Sequence, residues 1–392
     1  MSGKWIRRSV LCMLQAVALT GLCASPQANT TGAPGSASGN ASADIRITVL
    51  LPLRSASLGS SAEAVRAGIR AANERDPQGV SLNVVETDGT VVGALSAYAK
   101  ASENADIVIG PLSRTEVGGL AQRGKVRKPT IALALPETDL GGDTALPPTL
   151  LAIGLSIEEE ARQVANWINA SQSSGSVMIV STAVPWQRRA AKAFAAQWQT
   201  HGRTAQTVEL GWSDNFLNSV QVAQLKKRLS ADAPVAVFVA LDAAQASQLR
   251  NSIGKQLAMY GTSQLNPVAR TSIDSMQASN ADTSEIRDRL EGVRLVELPW
   301  QLEAEHPAVM VYPQLLGSAD APVTADQARL YALGIDAYRI AYGLVQRGGA
   351  FELDGVTGKL LIRFEPGTAR FERILQAAVY RDGVVAPLRE GR

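Results

Sequence analysis

The stretch Ile45-Arg46-Ile47-Thr48-Val49-Leu50-Leu51-Pro52-Leu53, with the segment 61–74 behind it, decides the fold. Its first seven residues are almost continuously apolar and rich in β-branched side chains, the mark of a strand covered on both faces. The segment that follows sets Val65, Ile69 and Ala72 on one helical face. Together they read as a β–α unit of a parallel sheet.

The unit recurs along the chain. Short apolar runs suited to strands lie at 81–85, 106–109, 130–135, 150–153, 177–180, 207–210, 235–241 and 257–260. Helical patterns at 160–169, 190–199 and 220–229 lie among them. Ser156-Ile157-Glu158-Glu159 has the spacing of a capping box opening the first of these helices. Strands alternating with helices predict parallel sheets covered on both faces. The rhythm changes towards the C-terminus. A strand at 293–298 precedes a long helix at 325–345 that carries Leu330, Leu333, Ile335, Tyr338, Ile340 and Leu344. After Gly348-Gly349 the pattern at 358–364, 370–373 and 377–380 is that of antiparallel strands.

The N-terminus reads as an export signal over 1–24. Lys4, Arg7 and Arg8 precede an apolar run at 10–22, shorter than the ~20 residues a membrane span needs. Those three are the only charges before Asp44, and without them 35 of the 38 basic residues face 36 acidic ones. No basic stripe for nucleic acid remains. Both cysteines, Cys12 and Cys23, lie in this signal. Two readings stand at its end: lipidation of Cys23, or ordinary cleavage near Ala24. Leu22 departs from the small residue a lipidation box places before its cysteine. The uncharged linker at 25–43, rich in Gly, Ser, Ala and Asn, favours an anchor, since it reads as a flexible tether with a reach of roughly 20–25 Å. The folded domain is expected over 44–392.

No catalytic or cofactor motif emerges. The two histidines, His201 and His306, lack a second histidine, a cysteine or paired carboxylates at ligand spacing, so no metal site is expected. No Gly-x-Ser-x-Gly elbow presents a serine. Gly119 to Lys125 has the spacing of a phosphate-binding loop, but Val126 stands where the metal-holding hydroxyl belongs. Glu158, Glu159 and Glu160 read as a solvated helix start, where acids are favoured anyway. A hydrolase using a carboxylate pair stays formally open.

In open parallel sheets ligands bind beyond the carboxyl ends of strands. Those ends supply the cleft candidates Arg54, Ser55, Ser113, Arg114, Thr115, Ser181 and Asp242. Arg54, Ser113 and Arg114 are the strongest as donors. Asp242 has the look of a helix cap.

Six stretches in register carry a family resemblance. They are Ile47-Thr-Val-Leu-Leu-Pro-Leu, Gly110-Pro111-Leu112-Ser113, Tyr260-Gly261-Thr262-Ser263, Leu298-Pro299-Trp300, Leu333-Gly334-Ile335-Asp336-Ala337-Tyr338 and Gly355-Val356-Thr357-Gly358-Lys359-Leu360. From about Asp44 to Leu388 the chain resembles the LpoA-type penicillin-binding protein activators. The resemblance implies the type I periplasmic-binding-protein fold, an α/β architecture of two Rossmann-like lobes joined by three crossovers. These are expected near 151–154, 293–299 and 348–355, with lobe 1 over 44–150 and 295–348 and lobe 2 over 154–292 and 355–392. It also implies a periplasmic lipoprotein, anchored in the outer membrane, that binds and stimulates a peptidoglycan synthase. The longer family members carry an N-terminal helical-repeat domain, where this chain shows the linker.

A second function shares the fold: a solute-binding protein for an amino acid or similar small ligand, serving an ABC transporter. Such binders typically place hydroxyl residues after two first-lobe strands to hold the carboxylate. After Ile131–Leu135 this chain has Pro136, which offers neither hydroxyl nor N–H. That favours a protein partner. Trp186 and Trp300, each beside a proline, are the aromatic candidates for contacting it.

Overall fold

A computed structural model of the chain describes residues 44–388, except 78, 124, 137–145, 173, 271–280 and 318–320. The expected signal and linker, Cys23 with them, and Gly124 of the loop-like pattern lie outside the described residues.

The apolar run at the start becomes β1 (Ile45–Leu51), inside a five-stranded sheet. It is joined by β2 (Val80–Glu86), β3 (Ile107–Ile109), β4 (Thr130–Ala132) and β5 (Leu150–Ala152) in the order β2-β1-β3-β4-β5. All pairings are parallel, with Val49 beside Val84 on one side and Ile109 on the other. The helices α1 (Gly59–Arg75), α2 (Val91–Asn104) and α3 (Arg114–Arg123) connect them. Gly119 therefore sits inside α3, packed on Val91, and belongs to no phosphate loop.

The second lobe opens with α4 (Ile157–Ser171), β6 (Val177–Thr182), α5 (Pro185–Thr200), β7 (Ala205–Leu210) and a small hairpin, β8 (Trp212–Ser213) and β9 (Phe216–Leu217). It continues through α6 (Ser219–Asp232), β10 (Ala236–Ala240), α7 (Ala243–Ile253), β11 (Met259–Gly261), α8 (Ala281–Arg289) and β12 (Arg294–Glu297). The last elements are α9 (Pro299–Leu302), α10 (Ala325–Arg347), β13 (Ala350–Gly355), β14 (Gly358–Glu365), β15 (Thr368–Ile374), β16 (Gln376–Arg381) and β17 (Val384–Pro387). The second sheet runs β17-β16-β12-β11-β10-β6-β7. From β7 to β12 it repeats the strand order of the first sheet, an order of the doubly wound type.

Burial explains the strand character. Val177, Ile179, Ala236 and Phe238 feed one core of the second sheet, while Met178, Val180, Val237 and Val239 feed the core on its other face. Both faces are covered, as unbroken apolar strands require. In the first lobe, α10 lies across α1 with almost no gap. A Cβ on Gly68 would lie 2.0 Å from the Tyr331 carbonyl oxygen, and one on Gly334 would lie 2.2 Å from that of Val65. Only glycines allow backbones to meet that closely.

The lobe boundaries need two corrections. Residues 295–297 were expected in the first lobe, yet β12 pairs with β11 and β16 in the second sheet. The stretch from 355 was expected in the second lobe, with a crossover near 348–355. Instead β13, β14 and β15 form a separate antiparallel sheet whose inner side chains, Leu353, Leu360, Ile362 and Phe371 among them, pack into the first lobe's core. The chain returns to the second lobe only between β15 and β16. Antiparallel strands announce themselves by alternation, but alternation does not say which core they cover.

Candidate functional site: the cleft between the lobes

Each cleft candidate sits at a strand end or helix start, and most are already engaged. Ser113 caps α3. Its hydroxyl accepts from the Glu116 N–H at 3.2 Å and donates to the Glu116 carboxylate at 2.7 Å, while its own N–H donates to the same oxygen at 3.1 Å. This reciprocal box uses up the group best placed to hold a ligand's carboxylate. Glu116 is wholly buried, and burial raises its pKa against the bonds from Ser113. Asp242 caps α7 in the same way, accepting from the Gln245 N–H at 2.8 Å while Gln245 closes the box. Ser181 is buried within β6, between β10 and β7. Arg54 is exposed and donates to the Glu86 carbonyl. Ser55 lies against Gly89 and within 3.4 Å of Ser57, and Thr115 is exposed beside Ser113.

Arg114 does something the sequence did not announce. It reaches from α3 in the first lobe to Glu158 at the start of α4 in the second, Nη1 to Oε1, at 3.4 Å. Arg189 of α5 meets the same carboxylate oxygen at 2.8 Å. Burial pushes the Glu158 carboxyl up, but its own backbone N–H, Arg114, Arg189 and Ser156 outweigh this, and it stays ionised below the usual range. The two lobes are thus bridged by the chain's own charges, from α3 to α4.

The three glutamates at this helix start are therefore not one solvated patch. Only Glu159 projects into solvent, paired with Arg162. The expected capping box is half formed, because Ser156 accepts from the Glu159 N–H while the Glu159 carboxylate turns to Arg162. Glu160 is buried and accepts from the Ser263 N–H at 2.8 Å and its hydroxyl at 3.0 Å. Burial lifts its pKa to about 7, against Ser263 and Arg329, with Glu297 adding repulsion.

The crossovers are held together by a polar seam. Arg329 of α10 holds Glu297 through two nitrogens, at 2.7 and 3.2 Å, and caps the carbonyls of Ser263 and Asn266, both at 2.8 Å. Arg373, at the end of β15, grips Ile153 and Gly154 on the first crossover at 2.7 and 3.0 Å. Gln163 of α4 bonds the Arg373 carbonyl and the Leu375 N–H on the third. Asp336, fully buried in α10, accepts from the N–H groups of Val356 and Thr357 and from the Thr357 hydroxyl. Sequence reading missed this seam, because lone charged residues in amphipathic elements carry no spacing signal. The one available hint was that Arg329 and Asp336 flank the apolar run 330–335 of that helix.

The tryptophan candidates separate. Trp186 is partly exposed in the first turn of α5. Trp300 is 2% exposed, packs on Tyr331, and donates its backbone N–H to the Val356 carbonyl. It is a core residue and not a partner contact.

A cavity of about 660 Å³ lies away from these candidates, between Leu135, Leu151 and the β14–β15 face at Arg363, Arg370 and Phe371. Among the described residues no group of three or more His, Cys, Asp or Glu side chains is placed to hold a metal.

The family described as "LppC putative lipoprotein" matches residues 41–383. A penicillin-binding protein activator LpoA of Yersinia pseudotuberculosis is 27% identical over 344 residues, covering 78% of this chain and 49% of its own length. That of Vibrio cholerae is 27% identical, covering 80% and 54%. The chain thus spans about half the length of the curated relatives it matches. Among solved structures, the C-domain of LpoA from Haemophilus influenzae, described as a regulator of PBP1A, superposes with a TM-score of 0.66 at 19% identity, covering 88% of this chain and 100% of that one. A chain from Chromobacterium violaceum called a "putative branched-chain amino acid ABC transporter" superposes at 0.65 with 36% identity, covering 86% and 100%. Leucine-binding LivK of Thermotoga maritima shares the fold at 0.54 and 16% identity. The architecture is therefore that of type I periplasmic-binding proteins.

Proposed function

The chain belongs to the LppC family, and from that premise we propose that it binds a peptidoglycan synthase of the penicillin-binding class and stimulates it, without catalysing a reaction itself. It acts from the periplasm, held to the outer membrane by a lipid on Cys23. The observation that carries this reading is the Arg114–Glu158 bridge, which joins the two lobes through the chain's own charges. The capping of Ser113 and Asp242 points the same way, since both side chains already hold a helix N-terminus. Stimulation then requires that the chain bind one conformation of the synthase more tightly than another.

A second reading, a solute binder, draws on the name given to the Chromobacterium chain. The two separate in one pair of assays. Surface-immobilised protein is presented with the purified bifunctional synthase of the same organism, and, in parallel, free protein is heated with each of the twenty amino acids. The activator reading predicts saturable binding of the synthase and no thermal shift. A shift with an amino acid, without synthase binding, overturns it. Fatty-acid labelling of wild type against Cys23→Ala tests the anchor.

A further inference from the structure

The hairpin of β8 and β9 is too small to hold itself together, since two-residue strands bury almost nothing. The protein nonetheless fixes it firmly. Asp214 and Asn215 form its turn with φ of 51° and 64°, the left-handed pair that a tight hairpin needs. Gln248 of α7 clamps it from below, donating to the Asn215 carbonyl at 2.8 Å and accepting from the Leu217 N–H at 3.1 Å. Gln221 of α6 accepts from the Gly211 N–H at its base. Strand alternation turns Leu217 and Trp212 into the second lobe's core. The same alternation turns Phe216 outward, where it is 68% exposed.

Phe216 does not stand alone. Val220, in the first turn of α6, is 64% exposed. Ala223 and Lys227 follow it at helical spacing, all exposed. Lys226 and Lys227 form no ion pair with any described residue, and Asp214 at the turn is the acid of the same hairpin. Scattered apolar residues on a surface need no explanation. An exposed aromatic held out on a clamped hairpin, followed by a helix that carries a second exposed apolar residue and, two turns on, two unpaired lysines, has the make-up of a binding anchor.

We propose that Phe216 and Val220 form the contact by which the chain docks on its partner, entering an apolar pocket on the synthase whose rim carries carboxylates that face Lys226 and Lys227. This rests on the activator reading and deepens it. The occupant follows from charge: an apolar knob with two unpaired lysines two turns along the adjoining helix fits an acid-rimmed pocket. Phe216 supplies the buried area that slows dissociation, and the lysines speed encounter.

The test compares full-length wild type with Phe216→Ser and with Lys226→Glu/Lys227→Glu, each binding the purified synthase in a kinetic surface assay. Thermal melts come first and should be unchanged, because all three side chains are exposed. Phe216→Ser is expected to weaken binding at least ~tenfold, chiefly through faster dissociation. The lysine variant is expected to slow association and to lose most of its salt dependence. If wild type binds and stimulates the synthase and both variants do so equally well, the surface is wrong while the function stands. A wild type that neither binds nor stimulates overturns both. A wild-type dimer that Phe216→Ser dissociates also overturns the proposal, by making a second copy the occupant.

Discussion

Replacing Arg329 with methionine should cost far more than the loss of one surface charge. The side chain is 5% exposed and its partner Glu297 is wholly buried. Arg329 is the buried cation between Glu297 and Glu160, and its guanidinium also caps two backbone carbonyls. In the variant the Glu297 carboxylate keeps only the Asn266 amide at 2.9 Å and the Leu298 N–H at 3.0 Å. Breaking a buried pair from one side leaves an uncompensated charge and costs about 3–5 kcal/mol. The pair itself is worth much less, because both ions lost their hydration on folding. Arg329→Met/Glu297→Leu should therefore recover most of the loss, ending within about 2 kcal/mol of wild type, the remainder reflecting the orphaned Asn266 amide. The assay is urea unfolding followed by both fluorescence and far-UV circular dichroism, so that coincident transitions confirm a single step. A loss below about 1 kcal/mol for the single variant, or a double variant as unstable as the single, refutes the reasoning.

Glu160→Gln should flatten part of the pH profile. The folded pKa of Glu160 is raised from 4.5 to about 7, so wild type loses stability as pH rises between those values, by about 3 kcal/mol at most. The difference between variant and wild type in unfolding free energy at pH 5 and at pH 8 measures it; a pH-independent difference would falsify the assignment. Gly334→Val forces α10 off α1 and should cost about 2–3 kcal/mol, the upper part of the range typical of overpacking, read as a lower urea midpoint. Trp300→Ala should cost about 3–5 kcal/mol of stability while leaving synthase affinity unchanged in whatever remains folded, checked by melting and binding on the same sample.

Much of this fold was legible because hydrophobic periodicity reports burial directly. Ile45–Leu51 could hardly be anything but an interior strand, and it is one. The family stretches also acquire physical reasons. Gly334 is the close contact of α10 with α1, Asp336 holds the Val356-Thr357 turn, and the Tyr338 hydroxyl reaches Asn73 and the Asp76 carbonyl. The placement of β13–β15 was not legible, since their alternating pattern suits either lobe. The cleft was legible as a place but not as chemistry. Strand ends pointed to Ser113 and Arg114. Nothing in the spacing told that Ser113 would be spent on Glu116, or that Arg114 would find Glu158 in the other lobe, 44 residues further along the chain. Such pairings depend on how the lobes close, which is a property of the whole fold.

We propose that this protein acts by binding another protein. The measurement that meets it most directly is the rate of glycan-strand polymerisation by the purified synthase of the same organism, titrated with the full-length chain. The rate is expected to rise and to saturate at a one-to-one ratio, and adding amino acids is expected to leave the titration unchanged. A rate that stays flat through a tenfold excess of the chain contradicts it.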